Sequence, residues 1–372
     1  MNPIPVNTPL FNGNELKYLT ECIETGWISS EGPFIAKFEK EFSQYIGPKY
    51  GVAVSNGSAA LDIAVKALNI CTGDEVIMPT FTIISPAQSV VTAGAVPVLV
   101  DSDPITWNMD VLQVEAKITP RTKAILVVHI YGLPVDMDPI LQLAKKYQLK
   151  IIEDAAEMHG QTYNGQKCGS FGDLSIFSFY PNKHITTGEG GMILTNDLAL
   201  AERCRKLRNL CFEPNGPRFV HHELGWNYRM TNLQAALGLA QLEQIDHFLT
   251  IKKDIGNTYQ TQLSFLTELG FRLPKPSTAF AHNINWVFGI VAPGIKIKEK
   301  IVEGLAKEKI GTRPFFWCMH QQPVFQNMGL FKNESYPVAE ELANNGFYLP
   351  SGLGLKQEEL VRVTEVLKAI IS

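Results

Sequence analysis

The sequence predicts an α/β fold: a mostly parallel sheet flanked by helices on both faces, followed by a smaller C-terminal α+β domain. Three observations carry that prediction. Short apolar runs at 75–78, 96–100, 124–128 and 149–152 alternate with helix-like segments near 85–93, 109–117 and 139–147, and near-continuous apolar strands separated by helices make a sheet buried on both faces. Polar residues follow each run, namely Thr80-Phe81-Thr82, Asp101, His129 and Glu153-Asp154; ligands of such sheets bind beyond the carboxyl ends of the strands. Past Asp254 the texture changes to helices at 255–269 and 298–307 with a short strand at 286–291. We therefore expect a large domain over 1–250, opening with a helical segment, and a small one over 251–372.

Composition narrows the function. The chain has 372 residues, 45% of them hydrophobic and 19% charged, with a formal charge of -4. That charge makes no electrostatic case for nucleic acid or an anionic membrane surface, and no apolar run reaches membrane-spanning length. The first residues, Met1-Asn-Pro-Ile-Pro-Val-Asn7, lack the basic and apolar segments of a secretory signal. Six scattered cysteines without a Cys-x-x-Cys pair suit reduced thiols in a cytoplasmic protein and argue against a zinc site.

Taken in order, residues 14–24 have helical spacing of Leu16, Leu19, Cys22 and Ile23. A loop follows, in which Trp27 is either a hydrophobic plug or a substrate contact, and then a second helix over 34–45. A strand at 50–54 turns at Ser55-Asn56-Gly57-Ser58 into a helix with the stripe Leu61, Ala64, Val65 and Leu68. Backbone N–H groups at Gly57 and Ser58 would point out of that helix N-terminus, where the macrodipole favours an anion. The same four residues also make a good cap with nothing bound. Asp154, just past a buried strand end, is either a helix cap or a carboxylate held opposite a cation.

The next stretch organises the rest. An apolar run at 174–180 breaks at Pro181, delivers Lys183 into a Thr/Gly-rich turn, and resumes as a strand at 192–194. An ammonium between buried strands is poorly solvated unless it is paired or neutral, and a desolvated lysine is a nucleophile able to form a Schiff base. A lysine on an exposed hairpin tip is the plainer alternative. Beyond it we expect a solvated helix at 197–208, a loop at 213–217 and an apolar helix at 233–245. The adjacent His221 and His222 have no carboxylate or cysteine at ligand spacing, so no metal is expected. Arg313 and His320 are polar positions at a strand end, and a helix over 357–370 closes the chain.

Five ordered motifs carry a resemblance: Ser-Asn-Gly-Ser at 55–58, Glu-Asp-Ala-Ala-Glu at 153–157, Phe-Ser-Phe at 177–179, Asn-Lys-His-Ile-Thr-Thr-Gly-Glu-Gly-Gly at 182–191, and Gly-Trp-Asn-Tyr-Arg-Met-Thr-Asn at 225–232. Together they resemble the nucleotide-sugar aminotransferases of the DegT/DnrJ/EryC1/StrS family, pyridoxal 5'-phosphate enzymes with the aspartate-aminotransferase fold (fold type I). The resemblance implies that Lys183 carries the cofactor as a Schiff base and moves the proton, and that Asp154 pairs with the pyridine nitrogen. It places Phe81 on the ring face and Glu157 near the ring hydroxyl, where other members often have glutamine. Gly57, Ser58 and Ser178 would hold the phosphate, joined by Asn227 from the neighbouring subunit of a homodimer. Trp27, His184, Arg229, Arg313 and His320 are candidate substrate contacts.

The implied substrates are L-glutamate and a GDP-linked 4-keto-6-deoxyhexose, with ping-pong kinetics. Relatives that remove the sugar 3-hydroxyl have histidine at the place of Lys183, so amination is expected here and dehydration is the rival. Two departures, Tyr180-Pro181 and Trp317-Cys318-Met319, leave dTDP or UDP open as the carrier. A nucleotide-sugar-binding protein without turnover would have no need of Lys183, Asp154 and Ser178 together. An NAD-type reading of Gly188-Glu-Gly-Gly191 fails because those glycines do not open a helix.

Overall fold

Asn56 decides how the first strand gives way to a helix: its side-chain oxygen accepts the Ala59 N–H at 2.8 Å, a cap that starts the helix one residue later. The computed structural model describes residues 2–213 and 216–371; of the loop expected at 213–217, Pro214 and Asn215 lie outside the described residues. The elements run α1 (Glu15–Thr25), α2 (Pro33–Ile46), β1 (Tyr50–Val54), α3 (Gly57–Ala67), β2 (Glu75–Pro79), α4 (Ile84–Thr92), β3 (Val96–Val100), β4 (Thr122–Val128), α5 (Met137–Tyr147) and β5 (Lys150–Asp154). A short hairpin, β6 (Thr162–Tyr163) and β7 (Gln166–Lys167), precedes β8 (Leu174–Ser178), β9 (Gly191–Thr195), α6 (Leu198–Leu207), α7 (Asn232–Leu242) and α8 (Ile245–Gln262). The chain ends with β10 (Phe288–Val291), α9 (Ile295–Lys307), β11 (Arg313–Pro314), α10 (Pro323–Asn327), α11 (Pro337–Asn345), β12 (Gly346–Leu349) and α12 (Gln357–Ile371).

Seven strands form the main sheet in the order β1-β9-β8-β5-β4-β2-β3. Its pairings are parallel except those of β9, which runs antiparallel to both β1 and β8. Because side chains alternate along a strand, Ile152, Ile176 and Ile193 pack into one core and Ile151, Phe177 and Met192 into the core on the other face. Each such fully buried side chain contributes about 1.5–3 kcal/mol of transfer free energy. A third core, with Tyr259, Phe288 and Phe347, lies under the small sheet β10-β12-β11. The carboxyl ends of β1, β2, β4, β5 and β8 consequently share one rim.

Two expected helices differ. The segment 109–117 forms two 3-10 turns, Val111–Gln113 and Glu115–Lys117. Val114 is fully buried there but Leu112 is 86% exposed, so the run has an anchor and no continuous apolar stripe to dock as an α-helix. The helix expected over 255–269 begins ten residues earlier, at Ile245, and ends at Gln262. Its buried residues Ile245, Phe248, Leu249, Lys252, Ile255 and Tyr259 make one stripe that carries the helix straight through residues 250 and 251. The amino terminus also joins the third core through Ile4, which pairs with Ile310.

Candidate active site

The β8–turn–β9 unit presents Lys183. The Lys183 N–H donates to Tyr180 O at 2.9 Å, and the Thr187 N–H closes the turn onto Phe179 O at 3.0 Å. The side chain enters a cleft of about 560 Å³ that opens at the shared strand rim. It is 10% exposed, with Nζ 3.8 Å from Glu157 Oε1 and 3.8 Å from the centre of the Trp286 ring. A separation of 3.8 Å is beyond hydrogen-bond range, so this carboxylate faces the amine without bonding it. Burial lowers the lysine pKa while Glu157 and Asp154 pull it up. The result is an amine poised to lose its proton.

Two acids from the end of β5 face it. Asp154 is 4% exposed, and its Oδ1 accepts the Ala156 N–H at 3.1 Å. Burial pushes its pKa up, opposed by that N–H and by Lys183. Glu157 Oε2 accepts the Tyr131 N–H at 2.6 Å, and burial pushes its pKa up to about 8. Beneath them lies a settled network. His129 Nδ1 accepts the Val135 N–H at 3.0 Å, which leaves the proton on Nε2 to donate to Glu153 at 3.1 Å. Glu153 also takes N–H groups from Gly169, Phe171 and Gly172 and the Ser175 hydroxyl. His129, Glu153 and Cys168 have ligand atoms within 4.8 Å of one another, yet these bonds already engage the histidine and carboxylate atoms.

The opposite end of the cleft is the N-terminus of α3. Gly57 and Ser58 line it with Ser85 and Ser178, and the Ser58 and Ser85 hydroxyls are 2.7 Å apart. The approach there is close. A Cβ on Gly57 would come within 2.9 Å of Ser178 Cβ, and one on Gly191 within 2.5 Å of the Asn56 carbonyl oxygen. An anion-attracting helix end ringed by hydroxyls, a buried amine and two buried carboxyls share one cleft, and this donor set fits pyridoxal phosphate.

Of the expected site residues, Gly57, Ser58, Asp154, Glu157, Ser178, Lys183 and Arg313 line the cleft. Phe81 does not. It is fully buried in an aromatic cluster with Tyr131, Phe315 and Phe316. Its backbone bridges Cys318, which turns the ring inward and leaves Thr82 and Ile83 on the cleft wall. His184 faces the core behind Lys183, fully buried, with neither ring nitrogen bonded among the described residues. His320 is buried away from the cleft, its Nδ1 2.8 Å from Thr80 Oγ1 and its Nε2 3.0 Å from Glu340.

Trp27 is 51% exposed, neither a plug nor a wall of this cleft; its carbonyl accepts from Asn232 Nδ2 at 2.7 Å. Asn227 is exposed outside the cleft of its own chain and accepts two bonds from Arg229, at 3.0 and 2.9 Å. Arg229 lines a separate surface cavity beside α6. Sequence reasoning missed Ser85, Trp286 and Tyr348 as cleft residues. Ser85 opens a helix on the ligand rim and was findable, whereas the other two arrive from just before β10 and from β12 with no local signal.

The sequence profile described as the DegT/DnrJ/EryC1/StrS aminotransferase family matches residues 10–368. The chain belongs to this family. Relatives named GDP-perosamine synthase are similar over their whole length. The protein from Caulobacter vibrioides is 44% identical over 99% of this chain and 98% of its own, and that from Escherichia coli O157:H7 is 42% identical over 100% of both. Among solved structures, DesV of S. venezuelae is 32% identical with a TM-score of 0.88, covering 96% of this chain and 94% of its own. Spr1654 of Streptococcus pneumoniae, solved in a PLP-form, is 25% identical with a TM-score of 0.91 over 99% of this chain and 98% of its own. This DegT-family member is a pyridoxal-phosphate-dependent transaminase. No described helix is long and apolar enough to cross a membrane.

Proposed function

We propose that this aminotransferase moves the amino group of L-glutamate onto C4 of a GDP-linked 4-keto-6-deoxyhexose. The observation that carries the reading is the buried Lys183 amine, 3.8 Å from Glu157 and facing Asp154: dehydrating relatives would have histidine here. The end-to-end similarity to two GDP-perosamine synthases supports the carrier and the sugar.

When bound, pyridoxal phosphate supplies an electron sink that makes the donor's Cα proton acidic. Ser58, Ser178 and the α3 N-terminus would hold its phosphate. With the cofactor bound, the Asp154 carboxylate would keep a proton on the ring nitrogen, and protonated Glu157 would donate to the ring oxygen. The free Lys183 amine would take the donor's Cα proton. In the second half-reaction the same amine would deliver a proton to C4 of the sugar; because one cleft serves donor and acceptor in turn, the donor's keto acid would leave before the sugar binds, giving ping-pong kinetics. Walls of the cleft from α4, β8 and the small domain exclude water from these transfers.

Asn227 supports a homodimer: it is exposed and outside its own cleft, so it reaches a phosphate only in a second subunit. All six cysteines are free, which suits a reducing cytoplasm. UDP is the second reading of the carrier, because an Acidithiobacillus ferrooxidans relative named for a UDP-linked 3-keto sugar is 36% identical over 89% of this chain. Mass spectrometry of products from pyridoxal phosphate, L-glutamate and GDP-4-keto-6-deoxymannose is the test. The expected result is an amino sugar with equimolar 2-oxoglutarate. A 3-deoxy product would overturn the assignment, and turnover with only a UDP- or dTDP-sugar would move the carrier.

A further inference from the structure

Trp286 touches Lys183 in two ways. Its ring centre lies 3.8 Å from Nζ, well inside the distance at which an aromatic face attracts an ammonium. Its Nε1–H donates at 2.7 Å to the carbonyl of Asn182, the peptide that immediately precedes Lys183. One side chain thus holds both the backbone and the amine of the reactive residue.

Trp286 is held in turn. It is 2% exposed, and its carbonyl accepts a bond at 2.6 Å from Lys252 Nζ on α8. Lys252 is also 2% exposed; its other acceptor is Ser351 O. Both acceptors of this amine are main-chain carbonyls, an unusual use of a buried lysine. It spans the 286 and 351 segments and fixes the tryptophan where the small domain meets the cleft.

We propose that Trp286 is a positioning residue for Lys183, a platform on which the free amine rests between its covalent and acid–base duties, and that Lys252 keeps the platform in place. The platform favours the ammonium and opposes the burial that lowers the Lys183 pKa. This rests on the role assigned to Lys183 under the proposed function.

The test compares the unmodified chain with Trp286→Leu, Trp286→Phe and Lys252→Met. Full-length protein stripped of cofactor is labelled with acetic anhydride at a series of pH values, and acetylation of Lys183 is followed by peptide mass spectrometry. The pH midpoint of labelling reports the ammonium. Mere opening of the cleft raises the plateau rate and, by returning water to the ammonium, moves the midpoint up, opposite in sign to loss of the platform. The titratable groups facing Lys183 are Asp154, Glu157, His159 and His184, with His129, Glu189, Tyr180, Arg313 and Tyr348 along the cleft; all are retained in every variant. Loss of the platform in Trp286→Leu moves the midpoint down by about one pH unit, a tenfold change in the protonation equilibrium. Trp286→Phe keeps a face and restores at least half of the shift. In the holoenzyme, kcat of Trp286→Leu falls about tenfold, with KM for the sugar within twofold. Lys252→Met moves the midpoint in the same direction only when Trp286 is present. A midpoint unchanged in Trp286→Leu overturns the proposal even if the unmodified enzyme transfers amine normally. An unmodified enzyme that transfers no amine overturns the function and leaves the midpoint readable.

Discussion

Glu157 holds its proton at neutral pH because burial pushes its pKa up to about 8, against the opposing pull of Lys183 and the Tyr131 N–H. A protonated carboxyl and a carboxamide have similar shape and both donate. We therefore expect Glu157→Gln to keep kcat at neutral pH within about threefold. As pH rises through about 8 the native acid ionises and its donated bond is lost, so kcat/KM of the unmodified enzyme falls there and the glutamine variant loses that limb. An identical alkaline limb in both proteins would refute the role. His159 works on the other side of neutrality. Burial depresses its pKa from 6.5 to about 3, so the unfolded chain takes up a proton that the folded one refuses. Its contribution to stability is complete above the unfolded value and falls as pH drops toward 3, by about 1.4 kcal/mol per pH unit. Urea unfolding at pH 7 and pH 5 should show this slope, and His159→Leu should flatten it by about 2 kcal/mol over that interval; an unchanged slope would assign the acid sensitivity elsewhere. Lys183, Asp154 and Glu157 were legible in the sequence because each sits beside a strand end on the ligand rim. Phe81 and His184 were not, since the motif does not say which of two neighbouring side chains faces the cleft; nor was His320, which Thr80 and Glu340 hold away from it.

At the scale of elements, the anion cradle depends on the distance between β9 and the turn that precedes α3. Gly191 sets that distance: an added Cβ would meet the Asn56 carbonyl oxygen at 2.5 Å and its carbon at 2.6 Å. These are backbone atoms, so Gly191→Ala must displace β9 or the α3 N-terminus. We expect a loss of about 1–3 kcal/mol in stability from the overpacking and at least a tenfold weaker hold on pyridoxal phosphate, read by titrating stripped enzyme with cofactor. Unchanged affinity in a folded variant would show that the phosphate is not held at this helix end. The glycine run at 188–191 signals a tight place, but its partner, the Asn56 carbonyl, is more than 130 residues away. Segment 109–117 teaches the converse. It has apolar residues in plenty, and only the neighbouring packing reveals that Met109 and Val114 are anchored while Leu112 stays in water.

For the whole molecule the prediction concerns the second subunit. If Asn227 serves the partner's cleft, Lys183→Ala and Asn227→Ala chains complement each other. In a hybrid dimer one site carries both lesions and the other none. Random reassortment makes half of the dimers hybrids, each with one intact site, so mixing inactive variants should restore about one quarter of native activity. No recovery after verified subunit exchange would place Asn227 in its own chain's service or in none. The order of strands and helices, the lysine turn and the acids on the rim follow from the sequence by itself, because hydrophobic period and turn chemistry are local properties that neighbouring residues share. Which side chains meet Lys183 was decided only by the tertiary structure. Trp286 reaches it from the segment just before β10 and is itself tied down by Lys252 of α8, contacts between residues far apart in the chain, and no local pattern encodes where two distant segments will touch.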